Sequence, residues 1–360
     1  MTKIYRAAII GRTGRGNYGH NLDLAAKSHP RLEAIAVADE NAEGRKRAAD
    51  RLQLRAVYED HTKMLAAEKP DIVVIAPRWV DCHLEMAMAA LESHASVFLE
   101  KPMARTLAEC DRILDAADRV HARIVVAHNM RVCPILDYVQ RRIREGLIGE
   151  MQEIRGRGKE DTRAGGEDMM VLGTHTFDLM RRFGGDPQWA VGRVTVQGRD
   201  ITPQDVNADG PEGLGPIAGD AIAGMFGFAG GVSGYFATKR SSDVSGTRWG
   251  IDIYGSKGVV AVRADHVPKI FVSNAVHWTE APWKPLEIPS GTPPQSQLEA
   301  NQLLVSDLVE AMDHQREPQS GGRGARWAIE MAHALYASQE SGGRVRFPME
   351  RREHPLSSIR

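Results

Sequence analysis

The sequence predicts an α/β protein: a doubly wound parallel sheet over residues 1–127, then an α+β domain over 128–360 with a large, open, mostly antiparallel sheet. Three observations carry this. Short apolar runs alternate with helical segments of about ten to fifteen residues through the first third, the pattern of a parallel sheet with crossover helices. A glycine-rich stretch, Gly11-Arg12-Thr13-Gly14-Arg15-Gly16-Asn17-Tyr18-Gly19, follows the first of those runs. Beyond residue 128 come long alternating runs joined by glycine turns, as in an antiparallel sheet.

Taken in order, Ile4 to Ile10 is a buried strand, and Leu22, Leu24, Ala25 and Ala26 mark the helix after the glycine turn. Leu32 to Ala38 is a second strand ending at Asp39-Glu40, and an arginine-rich helix fills 41–52. A small helix near 61–67 leads to the strand Asp71–Ala76, closed by Pro77. Helix 83–92, strand 96–99, helix Leu107–Val120 and strand Ile124–Ala127 complete the alternation. The chain is organised around Val97-Phe98-Leu99-Glu100-Lys101-Pro102. Proline cannot continue a central ladder and pushes the residue before it into an extended conformation. Lys101 is therefore expected at the carboxyl edge of the sheet, where open α/β folds place their ligands. In the second domain, helix Ile135–Glu145 precedes alternating runs at 151–160, 189–200, 220–240 and 248–264. Residues 201–219 and 278–294 read as irregular surface segments, and helices near 297–313 and 323–338 as the close of the domain.

A length of 360 residues exceeds what one compact core usually holds, hence the two domains. With 42% hydrophobic and 26% charged residues the composition is that of a soluble globular chain. A net charge of -1 gives no basis for a nucleic-acid or anionic-membrane partner. No apolar run is long enough to cross a bilayer. The opening residues enter a strand at once, leaving no room for a signal peptide. Cys82, Cys110 and Cys133 are scattered and fit a reducing compartment, so the expected location is the cytoplasm. The thirteen histidines form no metal-ligand pattern, and no metal is inferred.

Gly14-x-Gly16-x-x-Gly19 between a strand and a helix is a dinucleotide fingerprint: glycines let the backbone turn sharply and approach a pyrophosphate. Counted instead from Gly11 the pattern is Gly11-x-Thr13-x-x-Gly16, with the second glycine missing, so the loop is longer than usual. Arg12 and Arg15 are candidate phosphate contacts. Asp39 stands where an acid bonds the adenosine ribose hydroxyls, and Asp39-Glu40 would repel a 2′-phosphate, favouring NAD. Arg45 leaves NADP open. Arg78-Trp79 sits at a strand end, where the indole either stacks near the cofactor or covers the sheet edge.

With Gly11 to His20, Asp39, Ala76-Pro77, His83, Glu100-Lys101-Pro102 and Gly173-Thr174-His175-Thr176-Phe177-Asp178 in hand, the chain resembles the glucose–fructose oxidoreductase / inositol dehydrogenase / MocA-like family. The resemblance implies a Rossmann domain, a C-terminal open-sheet domain, and oligomers that bury that sheet, so a homodimer or homotetramer is expected. It implies hydride transfer between a nicotinamide cofactor and a sugar, polyol or related hydroxy compound. By the same resemblance Gly11, Arg12, Thr13, Gly14, Arg15, Gly16, Asp39, Pro77, Trp79, His83, Glu100 and Lys101 hold the cofactor. Lys101 bonds the reacting oxygen, His175 is the general base, and Arg131 and Asp161 line the substrate site. Many relatives carry an aspartate four residues before the histidine, one helical turn down the same face; here that position is Val171, so Asp178 is the candidate replacement partner, with Asp168, Glu160 and Asp161 behind it. Two other readings stand beside the dehydrogenase: a redox-assisted lyase or glycoside hydrolase with tightly bound NAD, and a non-catalytic NAD-binding sensor.

Overall fold

The computed structural model describes residues 3–240, 249–274 and 282–358. The chain divides into two compact units. The first is Met1–Val132 with Glu212–Leu214 and Gln297–Arg326; the second is Cys133–Pro211, Gly215–Ser296 and Trp327–Arg360.

The first unit holds six parallel strands: β1 (Tyr5–Ile10), β2 (Leu32–Ala38), β3 (Ala56–Tyr58), β4 (Ile72–Ile75), β5 (Ser96–Leu99) and β6 (Ile124–Val126). Their order is β3-β2-β1-β4-β5-β6, so the winding reverses between β1 and β4, and the crevice beyond their carboxyl ends is the topological switch point. All four residues of β4 and of β5 are buried, which is why these strands are continuous apolar runs rather than alternating ones. The connecting helices are α1 (Leu22–Ser28), α2 (Ala42–Leu52), α3 (His61–Glu68), α4 (His83–Glu92) and α5 (Leu107–Val120). Asn41, Asp60 and Thr106 cap α2, α3 and α5 with side-chain oxygens on first-turn amides. Strand β3 escaped the sequence reading because it is three residues long and only partly buried.

The second unit begins with α6 (Pro134–Arg144), β7 (Met151–Arg157), α7 (Gly166–Val171) and α8 (Gly173–Gly184). Then come β8 (Trp189–Val196), β9 (Arg199–Asp200), β10 (Asn207–Gly210), β11 (Gly215–Ile217), β12 (Ala221–Gly227) and β13 (Ser233–Lys239). The last strands are β14 (Gly250–Gly255), β15 (Gly258–Arg263), β16 (Lys269–Ser273), β17 (Lys284–Pro285) and β18 (Val345–Arg346). Ten of these form one sheet in the order β17-β16-β15-β14-β7-β13-β12-β8-β18, with β9 beside β8. Every pairing is antiparallel except β7 with β13. Strands β10 and β11 make a separate hairpin inside 201–219, a stretch that reads as plain loop in the sequence. Part of the other irregular stretch, 278–294, lies outside the described residues.

Alternation sorts the large sheet into two faces. Ile154, Ile222, Phe236, Ile251, Ile253, Val260 and Val262 point into the core, where Phe177 of α8 packs on Phe236 with ring centroids 4.5 Å apart. The other face carries Val191, Tyr235, Arg155, Asp252, Tyr254 and Arg263, with Val191 and Tyr235 exposed. Helix α9 (Gln297–Asp313) falls in the first unit, although its sequence lies in the C-terminal stretch. Its Leu304, Val305, Leu308 and Val309 share one core with Ile9, Val37 and Ile72. Helix α10 (Gly322–Ser341) places Leu335 against Gly192 and Gly224, where a Cβ would come within 2.6 and 2.4 Å of it.

Candidate active site

The glycine turn leaves β1 through Gly11, whose N–H donates to the Ala38 carbonyl. Arg12 and Asn17 exchange backbone hydrogen bonds of 3.0 and 2.9 Å, so residues 12–17 close into a tight loop. Gly14 and Gly16 have φ of 89° and 85°, a region open to glycine. Nothing stands within 4 Å of where a Gly14 Cβ would be, whereas a Gly16 Cβ would lie 2.4 Å from the Arg78 backbone nitrogen. The missing second glycine is explained by a partner residue. Thr13 donates its N–H and its Oγ1 hydroxyl (2.7 Å) to Asp39, and it fits because Gly44 of α2 has no side chain there: a Cβ would lie 1.9 Å from Oγ1.

Asp39 is buried and also accepts the Asn41 N–H at 2.9 Å, so its carboxylate ties the turn to the end of β2. Glu40 is the exposed acid of the pair, 3.9 Å from Arg12 Nε, which is buried and makes no hydrogen bond among the described residues. Arg45 is turned onto the Asp39 and Glu40 carbonyls. Arg15 lies over the Trp79 ring, 4.9 Å from its centroid, and pairs with Asp81 at 2.5 Å. This geometry fits NAD: an open, glycine-lined turn, two arginines beside it, and two carboxylates where a 2′-phosphate would have to sit.

Beyond β4, Pro77 and Trp79 lead into α4. His83 is fully buried, its two ring nitrogens each 2.8 Å from the carbonyls of Pro77 and Pro102, so it braces the ends of β4 and β5 from within. Burial pushes its pKa down, against the pull of those carbonyls and of Glu100. Glu100 is 0% exposed; it accepts the His20 N–H (3.0 Å) and the Lys101 N–H (2.8 Å) and lies 2.6 Å from His20 Nδ1. Burial alone would raise its pKa, but the charge and hydrogen bonds of His20 and the charge of Lys101 outweigh it and hold the carboxyl at about 2. Lys101 is 5% exposed and joins Pro102 through a cis peptide at the carboxyl end of β5, the edge expected from the sequence. Arg131 is half-buried in the turn after β6.

The remaining candidates lie in the second unit. His175 stands in the first turn of α8, buried to 8% exposure. Val171 ends α7, and Leu172 (φ -112°, ψ -29°) separates the two helices. Positions 171 and 175 are thus not one turn apart on a continuous helix, contrary to the spacing argument. Asp178 is buried, with Arg181 at 3.9 Å. Asp161 pairs with Arg163 at 2.6 Å, which holds its carboxyl below the usual range against the upward push of burial. Asp168 is 0% exposed; it accepts the N–H groups of Lys159 and Glu160 and the Thr238 hydroxyl, and burial raises its pKa. It therefore acts as a clamp on the chain after β7. The structure gathers the glycine turn, Asp39, Pro77, Trp79, His83, Glu100 and Lys101 into the first unit. His175, Asp178 and Asp161 belong to the second. It also brings in residues that the motif reading passed over: Gly44 under Thr13, His20 on Glu100, and Trp249, whose ring stands edge-on to His175 at 5.9 Å. No group of three or more His, Cys, Asp or Glu able to hold a metal occurs among the described residues.

A parallel sheet of this order, with a glycine turn at its switch point and acids ending its second strand, defines a dinucleotide-binding Rossmann protein. Residues 5–128 match the family described as "Oxidoreductase family, NAD-binding Rossmann fold". Residues 5–128 are thus a domain of that oxidoreductase family, the one the motifs resemble, and the cofactor is NAD. It is 24% identical to a D-apiose dehydrogenase of Paraburkholderia graminis over 369 positions, covering 98% of this chain and 92% of that protein. It is 26% identical to a levoglucosan dehydrogenase of Pseudarthrobacter phenanthrenivorans over 303 positions, covering 74% and 76%. A levoglucosan dehydrogenase solved with NADH and levoglucosan superposes with a TM-score of 0.77 at 19% identity, covering 96% of this chain and all of that one, so the whole fold is shared.

Proposed function

We propose that the protein is an NAD-dependent dehydrogenase that oxidises a CH–OH group of a sugar or polyol and reduces the corresponding carbonyl compound. One observation carries the reading: an NAD-type turn and β2 terminus in a chain that aligns over nearly its whole length with a D-apiose dehydrogenase. NAD, when bound, supplies the hydride acceptor. Lys101, a cation at a strand edge, is assigned the hydrogen bond to the reacting oxygen, favouring its alkoxide-like state. His175 is assigned the proton of the reacting hydroxyl, taken during oxidation and returned during reduction. Arg12 and Arg15 are assigned to the pyrophosphate, which would draw Arg15 away from Asp81, and Arg131 and Asp161 to the substrate.

A panel of pentoses, anhydrosugars, inositols and sugar acids, assayed for NADH formation, tests the activity. With the best substrate, Lys101→Ala and His175→Ala should each lower turnover roughly 10²–10⁴-fold, His175→Ala leaving NAD affinity nearly unchanged. Absence of NADH formation across the panel would overturn the dehydrogenase reading. Cys82, Cys110 and Cys133 are buried and form no disulfide, which supports a cytoplasmic location. Among the described residues no helix is long and apolar enough to cross a membrane. The half-apolar outer face of the large sheet supports a homodimer or homotetramer.

A further inference from the structure

We propose that Trp249 is a positioning residue for His175 and a direct contact for the sugar. The inference rests on the assignment of His175 as the base. The two rings lie 5.9 Å apart at an interplanar angle of 77°, an edge-on contact that limits rotation of the imidazole about its Cβ–Cγ bond. Trp249 itself is tied to the sheet. It immediately precedes β14, which lies between β15 and β7 in the sheet, and its carbonyl accepts the Ala264 N–H at 2.9 Å. The following Gly250 (φ 133°) packs so closely that a Cβ would lie 2.0 Å from the Val262 carbonyl oxygen.

Its Nε1–H is buried and has no acceptor among the described residues. A buried indole N–H normally finds an acceptor. Next to a general base that works on a hydroxyl, the acceptor that fits is another oxygen of the same substrate. The rigid, apolar indole face also suits the C–H surface of a pyranose, furanose or anhydrosugar ring. Such a contact orients the imidazole without itself supplying a negative charge, so it does not stabilise the imidazolium as a carboxylate in the same place would. The position also selects for cyclic sugars carrying an acceptor oxygen near the reacting carbon.

Trp249→Phe, Trp249→Ala and His175→Ala are compared with the parent enzyme, using the sugar that gives the most NADH and using NAD titration as the check on folding. Trp249→Phe keeps a ring beside the imidazole but loses the N–H, so KM should rise about fivefold, the worth of one hydrogen bond, with kcat within about twofold. Trp249→Ala should lower kcat about tenfold or more and displace the acid limb of the kcat–pH profile, with Phe restoring both. Should Trp249→Ala disturb NAD binding, the Phe variant alone decides. Unchanged KM, kcat and pH profile in the Trp249 variants, with His175→Ala inactive, would overturn the role of Trp249 and spare the assignment of the base. Full activity in His175→Ala would overturn the base itself and the positioning role with it.

Discussion

Replacing Glu100 by glutamine tests the structural reading of the strand edge most directly. The carboxylate is wholly buried, and each of its oxygens accepts from a backbone N–H, one from His20 and one from Lys101. Glutamine is isosteric but carries an NH₂ at one end, so one of those N–H groups would face another donor in the interior. Leaving a buried donor without an acceptor costs about 1–3 kcal/mol, more where a charge is lost. Linkage gives a second figure. A fall from 4.5 to about 2 at about 1.4 kcal/mol per pH unit corresponds to roughly 3 kcal/mol at pH 7. The sign follows from the folded carboxyl being the stronger acid. Its contribution is complete well above the unfolded value and declines as pH falls toward the folded one, leaving roughly 1.4 kcal/mol at pH 3. Urea unfolding followed by circular dichroism should therefore separate parent and Glu100→Gln by about 3 kcal/mol at pH 7 and by about half that at pH 3. A difference under about 1 kcal/mol at pH 7, or one that grows on acidification, would refute the reasoning.

Three further outcomes are expected. Gly16→Ala puts a Cβ into a left-handed position and 2.4 Å from the Arg78 backbone nitrogen. It should lower stability by about 1–3 kcal/mol in thermal unfolding and weaken NAD binding measured by fluorescence titration. Glu40→Gln removes the exposed carboxylate beside Arg12, so NADP should gain roughly tenfold in affinity relative to NAD in paired titrations, about 1.4 kcal/mol; an unchanged ratio would leave the discrimination to Asp39. Light scattering at micromolar concentration should give two or four times the mass of one chain, and a monomer would remove the outer sheet face as an interface.

Much of the first unit is legible in the sequence because its signals are local. Buried parallel strands are apolar runs, helices end at capping residues, and Thr106 to Val120 can be read from a cap and an amphipathic period alone. What fails is whatever depends on a distant neighbour. The apolar face of α9 is plain in the sequence, but nothing in its own residues says that Leu304 and Leu308 pack with Ile9 and Val37. Strand β16 follows a short polar turn and is five residues long, too brief for alternation to stand out. The break between α7 and α8 falls at Leu172, a good helix former. Only the glycine after it hints at a discontinuity, and that is why Val171 and His175 read as one face.

The candidate site divides along the same line. The glycine motif and the acid at the end of β2 mark a location, because both are sequence-local. Which atom is free to meet a ligand there is decided by partners far away in the chain. Asp39 fits the motif's position, yet its oxygens already serve Thr13 and Asn41, and Thr13 occupies its place only because Gly44, thirty-one positions on, leaves room. Glu40, one residue further, is the acid that remains exposed to solvent. His83 follows the same logic in reverse: a histidine opening the helix beyond β4 reads as a ligand until its two nitrogens are found on the carbonyls of Pro77 and Pro102. Trp249 gave no signal at all, since a single aromatic ahead of a strand has no periodicity and its ring partner His175 lies far back in the chain. Motif spacing therefore locates the chemistry, and the accounting of buried donors and acceptors assigns it to particular side chains.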